Sequence, residues 1–262
     1  ICLTGQVPTK LIGNDAFQEA DTTGITRPVT KHNYLVKNIK DLEKIMHEAF
    51  IVAKSGRPGP VLIDLPKDIL NEKGVYKGKK NKKKNFFKIN GLKKSSIKKV
   101  VSMILEAKKP IFYCGGGVIN SGNEASKILT KLIKETKFPC TNTLMGLGCF
   151  PAIDKQFIGM LGMHGTYEAN LAMHDSDLII AVGARFDDRV TGNLSKFSPY
   201  AKKVHIDIDP SSINKNVKVD VAIIGDAKEA LINLIPLLEK TNHTEWIDEF
   251  RDCFRCKISF DC

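Results

Sequence analysis

The chain has 262 residues, 42% of them hydrophobic, and a formal net charge of +11. This length predicts two domains rather than one, and the lack of a long apolar run argues against insertion into a membrane. The charge is local, because residues 67–99 hold thirteen lysines against Asp68 and Glu72 while the rest of the chain is balanced. Such a run is typical of a solvated connector rather than a nucleic-acid surface.

The lysine run leaves one alternative open, a non-enzymatic module that binds polyanions. Lys79 to Lys84 carries no interleaved aromatic residues on which bases could stack, and Phe86 and Phe87 follow only as one pair. Loss of polyanion binding on deletion of residues 79–88 would favour this alternative. We expect a connector and no nucleic-acid partner.

The first part of the chain predicts alternating helices and strands. The predicted elements are a strand end at Ile1–Leu3, a short helix at Asp15–Ala20, an extended segment at Pro28–Lys37, a helix at Asp41–Ser55 and a strand at Val61–Leu65. We interpret residues 1–66 as the second half of an α/β unit, residues 67–95 as the connector, and the chain as a piece of a longer protein.

Beyond the connector the alternation continues. The predicted elements are a helix at Ser96–Ala107, a strand at Pro110–Cys114, a helix at Glu124–Glu135, a strand at Pro139–Thr141, a helix at Tyr167–His174, strands at Leu178–Val182, Lys203–Ile208 and Val219–Ile224, and a helix at Ala227–Leu238. Strands separated by helices predict an α/β fold with a parallel, doubly wound, Rossmann-like sheet.

Ligands bind such a sheet outside the carboxyl ends of its strands. The loops that follow the predicted strands are Gly115–Gly117, Thr143–Gly148, Gly183–Arg189, Asp207–Pro210 and Gly225–Asp226. The triple glycine permits close approach of a pyrophosphate, but it does not complete a GxGxxG spacing, and a tight turn explains it equally well.

The charged residues of these loops have two readings each. Arg185 and Arg189 could supply charge to a phosphate or form ion pairs with the adjacent aspartates. Asp207, with Asp209 as a competitor, resembles the acid that binds ribose hydroxyls in dinucleotide folds. Asp226 could begin the last helix as a cap, contact a cofactor, or do both.

Catalytic and metal motifs are otherwise missing from the sequence. The seven cysteines have no framework spacing, which indicates a reducing compartment. Cys253 and Cys256 form one CxxC pair without further zinc ligands, and His164 has no ligand partner at a metal spacing. No GxSxG, Walker A or Cys/His pair for acyl transfer occurs. The sequence therefore predicts a binding scaffold with no metal site in this chain.

Six motifs stand in one order along residues 1–239. They are TGQVPTKLIGNDAFQEAD, TKHNYLVKN, SGRPGPVLIDLPKD, NTLMGLG, MLGMHGTYEANLAMHDSDLIIAVGARFDDRVTG and HIDIDP. In this order they resemble the catalytic subunit of the acetohydroxyacid synthase (acetolactate synthase) family, which consists of thiamine diphosphate enzymes that also carry FAD.

The resemblance implies roles for individual residues. Gln18 would lie at the thiamine site, Phe17, Lys31 and Lys67 would line the substrate channel, and Pro8 would lie where herbicides bind. The FAD contacts that it implies are Arg57, Gly116, Thr143, Leu144, Leu161, Gly162, Met163, His164, Gly183, Ala184, Arg185, Phe186, Asp187, Asp207, Ile208, Asp226 and Ala227.

The resemblance also implies a domain plan and a reaction. Residues 1–66 would end the pyrimidine-binding domain, residues 96–240 would form the FAD domain, and residues 241–262 have no convincing match. Pyruvate would lose carbon dioxide and its two-carbon unit would join a second pyruvate or 2-oxobutyrate, while FAD undergoes no net redox step. The activating glutamate and the magnesium ligands would lie outside this chain, so we expect the fragment alone to be inactive.

The resemblance further implies a homodimer or higher homo-oligomer, a possible small regulatory subunit, and a plastid or a bacterial-type cytoplasm as the location. A pyruvate oxidase or a glyoxylate carboligase would share the domain plan, but GARFDDRVTG and GQVP favour the synthase. A nicotinamide dehydrogenase is disfavoured, because no catalytic acid-base residue accompanies the glycine turn.

Overall fold

The computed structural model describes residues 1–78, 92–238, 243 and 245–249. The chain divides into two compact units, residues 1–88 and 89–262. Residues 79–91, with six of the thirteen lysines and the Phe86–Phe87 pair, lie outside the described residues, and so does the CxxC pair. Within the described part of the chain, no helix is long and apolar enough to cross a bilayer.

The first unit is built on a three-stranded parallel sheet in the order β1-β3-β2. Its elements are β1 (Cys2–Gln6), α1 (Thr22–Thr26), β2 (His32–Leu35), α2 (Ile39–Lys54), β3 (Val61–Pro66) and α3 (Lys67–Asn71), with 3-10 turns at Thr9–Leu11 and Arg27–Val29. The central strand β3 is buried along its whole length. Ala49 of α2 packs with Val61 and Ile63 of β3 in the core of this unit.

The short helix predicted at Asp15–Ala20 is wrong, because this segment is a series of turns. Asp15 and Gln18 adopt positive φ angles of 53° and 67°, which a right-handed helix cannot contain. The Glu19 carboxylate accepts hydrogen bonds from the main-chain N–H groups of Gly13 and Ala16. An acidic residue that was read as part of a helix therefore closes a loop.

The other predicted elements of the first unit are confirmed with shifted ends. The extended segment Pro28–Lys37 contains a strand only at β2, which a 3-10 turn precedes. Helix α2 begins two residues earlier than predicted, because the side chain of Asn38 accepts a hydrogen bond from Lys40 N and caps the helix. The first residues assigned to the connector form α3, which belongs to the first unit.

The second unit contains a six-stranded parallel sheet in the order β6-β5-β4-β7-β8-β9. Its strands are β4 (Pro110–Cys114), β5 (Cys140–Asn142), β6 (Phe157–Met160), β7 (Leu178–Val182), β8 (Lys202–Asp207) and β9 (Val221–Ile224). Its helices are α4 (Lys94–Glu106), α5 (Gly116–Asn120), α6 (Asn123–Thr136), α7 (Tyr167–Asp175), α8 (Asp188–Thr191) and α9 (Ala227–Leu234). The predicted parallel, doubly wound α/β sheet is confirmed.

The strand order places a switch point between β4 and β7. The chain runs outward from β4 through β5 to β6 and then returns to the other side of β4, which is the strand order of a doubly wound dinucleotide fold. Side chains alternate between the two faces of the sheet, so Phe112 and Cys114 enter one core cluster while Ile111 and Tyr113 enter the other.

The short helices α5 and α8 were not predicted, and three further features of the second unit differ from the sequence prediction. Strand β6 was missed because it is a half-buried edge strand with an irregular register. The last helix ends at Leu234 rather than Leu238 and continues as a 3-10 turn that contains Pro236. Residues 241–262 had no predicted structure, yet Trp246 is buried and donates from Nε1 to Pro110 O at 3.0 Å. The segment around Trp246 therefore packs on the second unit.

Three cysteines, Cys114, Cys140 and Cys149, meet inside the second unit and are free and buried. Cys114 Sγ and Cys140 Sγ lie 3.8 Å apart, and both Cys140 and Cys149 donate to Asn142 Oδ1. Burial raises the pKa of the Cys114 thiol, and the hydrogen bond with Cys114 raises that of Cys149. The thiols of Cys114 and Cys149 therefore stay protonated, as core residues do.

Candidate functional site

The carboxyl ends of β4 and β7 meet at the switch point of the second unit, where open parallel sheets bind ligands. The triple glycine follows β4, and the segment 183–187, which we call the β7 loop, follows β7. The loops after β5, β6, β8 and β9 open on the same edge, because all six strands are parallel. The sheet thus brings the strand-end loops of the FAD assignment to one edge.

The triple glycine packs the turn after β4 against the β7 loop. Gly115 N and Gly117 N donate to Val182 O and Gly183 O at 3.0 and 2.9 Å. A Cβ atom at Gly117 would lie 2.5 Å from Gly183 Cα, and one at Gly115 would lie 2.3 Å from Gly183 O. Two of the three glycines therefore serve a close approach within the protein, and only Gly116, where a Cβ would lie 3.1 Å from Met145 Cβ, begins a helix on the ligand edge.

Every carbonyl of the β7 loop accepts a hydrogen bond. Gly183 O accepts from Gly117 N, and Asp187 O accepts from the amide and hydroxyl of Thr191. The three carbonyls between them accept from side chains, which are His205 Nε2 to Ala184 O at 2.9 Å, Tyr113 Oη to Arg185 O at 3.0 Å and Asn216 Nδ2 to Phe186 O at 2.6 Å. The loop backbone is therefore fastened at each residue.

The four main-chain N–H groups of residues 184–187, unlike the carbonyls, make no hydrogen bonds within the described part of the chain. In addition, the buried atom Asp187 Oδ1 accepts no hydrogen bond from the described residues. Because buried polar side-chain atoms are almost always paired in folded proteins, the unpaired Asp187 Oδ1 in a loop whose N–H groups have no acceptor among the described residues indicates a bound polar ligand.

The side chains of the β7 loop alternate. Ala184 and Phe186 are buried, and the Phe186 ring lies 5.6 Å from the Tyr113 ring and 5.2 Å from the His205 ring. Arg185 and Asp187 are more exposed and form an ion pair at 3.6 Å. The pair is solvent-accessible and therefore weak, which leaves the guanidinium available to an anion.

Arg189 lies just after this loop, on α8. Its guanidinium lies 3.8 Å from the carboxylate of Asp188, and both side chains are well exposed. The ion pairs expected from the sequence are thus present for both arginines. Since exposed pairs contribute little free energy, the geometry is compatible with either reading of these residues.

The segment 161–164 after β6 is held by one amide side chain. Asn170 of α7 accepts from Gly162 N and donates to Gly162 O, both at 3.1 Å. Gly162 has a φ angle of 108°, and a Cβ there would lie 2.8 Å from Arg189 O, so glycine is required. Met163 N donates to Arg189 O, which joins this segment to the end of α8. Met163 and His164 are exposed.

The loop after β5 turns sharply at Thr143. Thr143 N donates to Cys114 O, and the Thr143 hydroxyl accepts from Gly146 N and caps the 3-10 turn Leu144–Gly146. Leu144 is exposed. The loop thus lies against the end of β4, on the same edge as the glycine turn.

The acidic residues after β8 and β9 have structural partners. Asp207 is buried and accepts from Asp209 N at 2.8 Å, while Ile208 is half-buried. Asp226 caps α9 by accepting from Lys228 N and Glu229 N, as the capping interpretation predicted, and it also accepts from the Ser121 hydroxyl at 2.7 Å. Ala227 is the first residue of α9 and is buried.

The site candidates of the first unit lie at both ends of its sheet. Phe17, with 91% of its side chain exposed, and Gln18 follow β1, and Lys67 follows β3, so these three belong to the carboxyl edge. Asp68 accepts from the main-chain N–H and the hydroxyl of Thr9, which joins the segments after the two strands.

Lys31 and Arg57 belong to the opposite, amino-terminal edge. Lys31 N donates to Pro60 O just before β3. The Lys31 ammonium donates to Val52 O at 2.7 Å and to Ser55 O at the end of α2, where a cation complements the helix dipole. Arg57 lies in the loop between α2 and β3 and is exposed. The first unit by itself therefore does not bring its four catalytic candidates together. Pro8 is half-buried, directly before the 3-10 turn after β1.

The second unit fits a flavin dinucleotide by its chemistry. Such a ligand offers oxygen acceptors to the four N–H groups, hydroxyl or N–H donors to Asp187 Oδ1, and a pyrophosphate to the arginines. Gly116 leaves the start of α5 free of a side chain. Among the described residues, no group of three or more His, Cys, Asp or Glu side chains has an arrangement that could hold a metal ion.

Sequence reasoning missed the residues that hold the loops. Tyr113, Asn170, His205 and Asn216 make the decisive contacts through side chains that bond to main-chain atoms. Tyr113 and His205 stand near the ends of predicted strands, which was the available signal. Nothing in the local sequence pattern marks Asn170 or Asn216.

A doubly wound parallel sheet with donor groups at its switch point defines a dinucleotide-binding domain of the Rossmann type. Residues 97–234 match the family model described as thiamine pyrophosphate enzyme, central domain. The chain therefore belongs to the thiamine pyrophosphate enzyme family, and its second unit contains the central domain.

Several acetolactate synthase large subunits are identical to this chain at about half of the aligned residues. The chain is 48% identical over 255 residues to acetolactate synthase isozyme 3 large subunit of Escherichia coli K12, covering 96% of this chain and 44% of that protein. It is 49% identical over 244 residues to the acetolactate synthase large subunit of Haemophilus influenzae, covering 92% and 42%. It is 45% identical over 267 residues to a probable acetolactate synthase large subunit of Methanocaldococcus jannaschii, covering 98% and 44%. The chain spans less than half the length of these relatives.

Proposed function

We propose that this chain is part of the catalytic subunit of an acetolactate synthase, which joins two pyruvates, or pyruvate and 2-oxobutyrate, with loss of carbon dioxide. The observation that carries the proposal is the buried, unpaired Asp187 Oδ1 in a loop at the switch point whose four N–H groups have no acceptor among the residues that the structure describes. The identity to acetolactate synthase large subunits supports the same assignment.

In this proposal the second unit binds FAD at the strand-end edge. The β7 loop donates main-chain N–H groups to the flavin, Arg185 neutralises phosphate charge, and Asp207 accepts from a ribose hydroxyl. The remaining proposed FAD contacts are Arg57, Gly116, Thr143, Leu144, Leu161, Gly162, Met163, His164, Ile208, Asp226 and Ala227. FAD has an architectural role here, because the proposed reaction involves no net oxidation.

Thiamine diphosphate, when bound, supplies the electron sink for decarboxylation. The first unit contributes Gln18 at the thiamine site and Phe17, Lys31 and Lys67 to the substrate channel. Lys67 stands exposed after β3 and offers a cation to the carboxylate of the acceptor acid. Lys31 reaches the channel only if its ammonium leaves the carbonyls at the end of α2.

The domain plan follows from the same proposal. Residues 1–66 end the pyrimidine-binding domain, residues 67–95 connect, residues 96–240 form the FAD domain, and residues 241–262 stay unassigned. Magnesium is bound by residues outside this chain. The subunit forms a homodimer or a higher homo-oligomer with a regulatory small subunit, and the bacterial and archaeal relatives favour a bacterial-type cytoplasm over a plastid.

Titration with FAD tests the proposal. The chain, freed of flavin, is expected to quench FAD fluorescence, and Arg185→Ala is expected to weaken binding about tenfold because one charged hydrogen-bonding partner is lost. Lys131→Ala is the matched control, since it removes an exposed cation whose ion pair lies elsewhere, on α6. Absence of quenching by the folded chain would contradict the FAD assignment.

A second measurement concerns the reaction itself. The longer protein to which this chain belongs should form acetolactate from pyruvate with thiamine diphosphate and magnesium, whereas the 262-residue chain alone should form none. Acetolactate production by the isolated chain would show that our division of the thiamine site is wrong.

A further inference from the structure

Tyr113, His205 and Asn216 bond to three successive carbonyls of the β7 loop, and we call these three side chains the loop clasp. Tyr113 belongs to β4 and His205 to β8, the two strands that flank β7, and Asn216 lies in the connection after β8. The β7 loop is therefore held by hydrogen bonds from both strands that flank β7 and from the connection after β8.

The register explains how two of these side chains reach the same loop. Tyr113 and His205 are both aligned with Ala181 of β7, one on each side. All three lie in one row across the sheet, and the Phe186 ring lies 5.6 Å from the Tyr113 ring and 5.2 Å from the His205 ring. From this row Tyr113 Oη reaches Arg185 O, and His205 Nε2 reaches Ala184 O.

The protonation of the clasp matches its role as a set of donors. Burial raises the pKa of the Tyr113 hydroxyl, with a smaller contribution from the Asp187 carboxylate, so the hydroxyl keeps its proton. A carbonyl oxygen only accepts, so the proton of His205 must be on Nε2 in this arrangement. Its Nδ1 atom is buried and has no partner among the described residues, which leaves Nε2 as the nitrogen that fastens the loop.

We propose that Tyr113, His205 and Asn216 are positioning residues that occupy the carbonyls of the β7 loop on the protein side and thereby leave the four N–H groups of residues 184–187 for the bound cofactor. This inference rests on the proposed FAD site. A loop whose carbonyls are already bonded to the protein has a preorganised backbone, so it loses little conformational entropy when its N–H groups bind a ligand. The clasp acts on affinity and on the flavin environment without touching the flavin.

The test uses two mild variants, because a change at buried His205 could prevent folding. Tyr113→Phe removes one hydroxyl and keeps the ring that packs on Phe186, and Asn216→Ala changes an exposed side chain. Each is expected to raise the dissociation constant for FAD about 3- to 10-fold, as the loss of one hydrogen bond allows. The visible circular dichroism of the bound flavin should change as well, which a merely structural loss would not cause.

Two controls separate positioning from general destabilisation. Thr136→Val removes another buried hydroxyl, which donates to Leu132 O within α6 on the other face of the sheet. Asn233→Ala removes a side-chain amide that donates to Glu229 O on α9. Thr136→Val is expected to lower the melting temperature, and both variants are expected to leave the dissociation constant for FAD and the flavin dichroism unchanged.

The inference is overturned if Tyr113→Phe and Asn216→Ala bind FAD within about twofold of the unmodified chain and keep its dichroism, or if Thr136→Val weakens FAD equally. A different result separates it from the proposed function. If the unmodified chain binds no FAD, the flavin assignment fails, and amide hydrogen exchange in the free chain decides on the clasp. The main-chain N–H groups of Gly117, Val190 and Thr191 donate to the carbonyls at the two ends of the loop. Faster hydrogen exchange of these groups in Tyr113→Phe and Asn216→Ala than in the unmodified chain supports the clasp, and unchanged exchange refutes it.

Discussion

Tyr113 and His205 stand on opposite sides of Ala181 in one row of the six-stranded sheet, and each bonds to a carbonyl of the loop that follows β7. Because the three parallel strands are in register, the two side chains can both bond to the β7 loop and fix its backbone at the edge of the sheet. Specificity for a ligand at this edge thus begins in the core, two residues before the loop.

The first prediction concerns the glycine turn. Gly117→Ala would bring its Cβ to 2.5 Å from Gly183 Cα, so the two turns must separate, at a cost of about 1–3 kcal/mol of unfolding free energy. Gly5→Ala is the control, since a Cβ there meets nothing within 4 Å and its φ is not positive; it should change stability by less than about 0.5 kcal/mol. Urea denaturation measures both, and equal stability of the two variants would refute the steric argument.

The second prediction separates the two roles of Asp226. Asp226→Ala removes the cap of α9 and should cost about 1 kcal/mol, whereas Asp226→Asn keeps an oxygen acceptor and should cost only a few tenths. If the carboxylate also faces the cofactor, Asp226→Asn should still weaken FAD binding. Denaturation and FAD titration of both variants check this, and equal destabilisation by Asn and Ala would exclude the capping role.

The third prediction is a pH dependence of the turn that presents Phe17 and Gln18. The N–H groups of Gly13 and then of Ala16 lower the pKa of Glu19 below its usual value of 4.5. Because the folded-state pKa is depressed, the stabilisation by this carboxylate is complete above the unfolded-state pKa and is lost as the pH falls through the folded-state pKa. Amide exchange of Gly13 and Ala16 should therefore accelerate in acid, after correction for intrinsic rates.

The matched variant for this turn is Glu19→Gln. It keeps the size of the side chain but removes the charge that titrates, so Gly13 and Ala16 should exchange faster above pH 5 and lose the acid-dependent step. A wild-type profile in the variant would show that another group controls the turn.

The fourth prediction concerns Lys31, which we assign to the substrate channel but which bonds to the end of α2. Lys31→Met should lower the unfolding free energy by about 0.3–1 kcal/mol, the usual contribution of a cation at a helix C-terminus. Lys54→Met is the comparison, because Lys54 lies in the last turn of α2 and is exposed. A larger loss for Lys54→Met than for Lys31→Met would contradict the observed bonding.

Much of the fold could be predicted because strand and helix periods are strong local signals. The second unit's predicted strands were found within about two residues of their positions, since apolar runs such as Leu178–Val182 are fully buried. Edge strand β6 and the turns at Asp15–Ala20 were not predicted, because half-burial and positive φ angles leave no periodic pattern.

The loops of the site could be located from the sequence, but their internal contacts could not. Position after a strand identifies the segments 183–187 and 161–164, because parallel strands share an edge. The Tyr113, Asn170 and Asn216 contacts join residues far apart in the chain, and such pairs depend on strand register and loop conformation. The triple glycine illustrates the same point, since its close approach is mainly to protein rather than to a ligand.

The buried thiols of Cys114, Cys140 and Cys149 also allow transient opening of the second unit to be measured by labelling. A thiol reagent can modify exposed Cys2 at once, but it reaches these three only when the sheet opens. Their labelling rates, measured for each cysteine by mass spectrometry, would report how often the second unit opens and whether bound flavin makes opening less frequent.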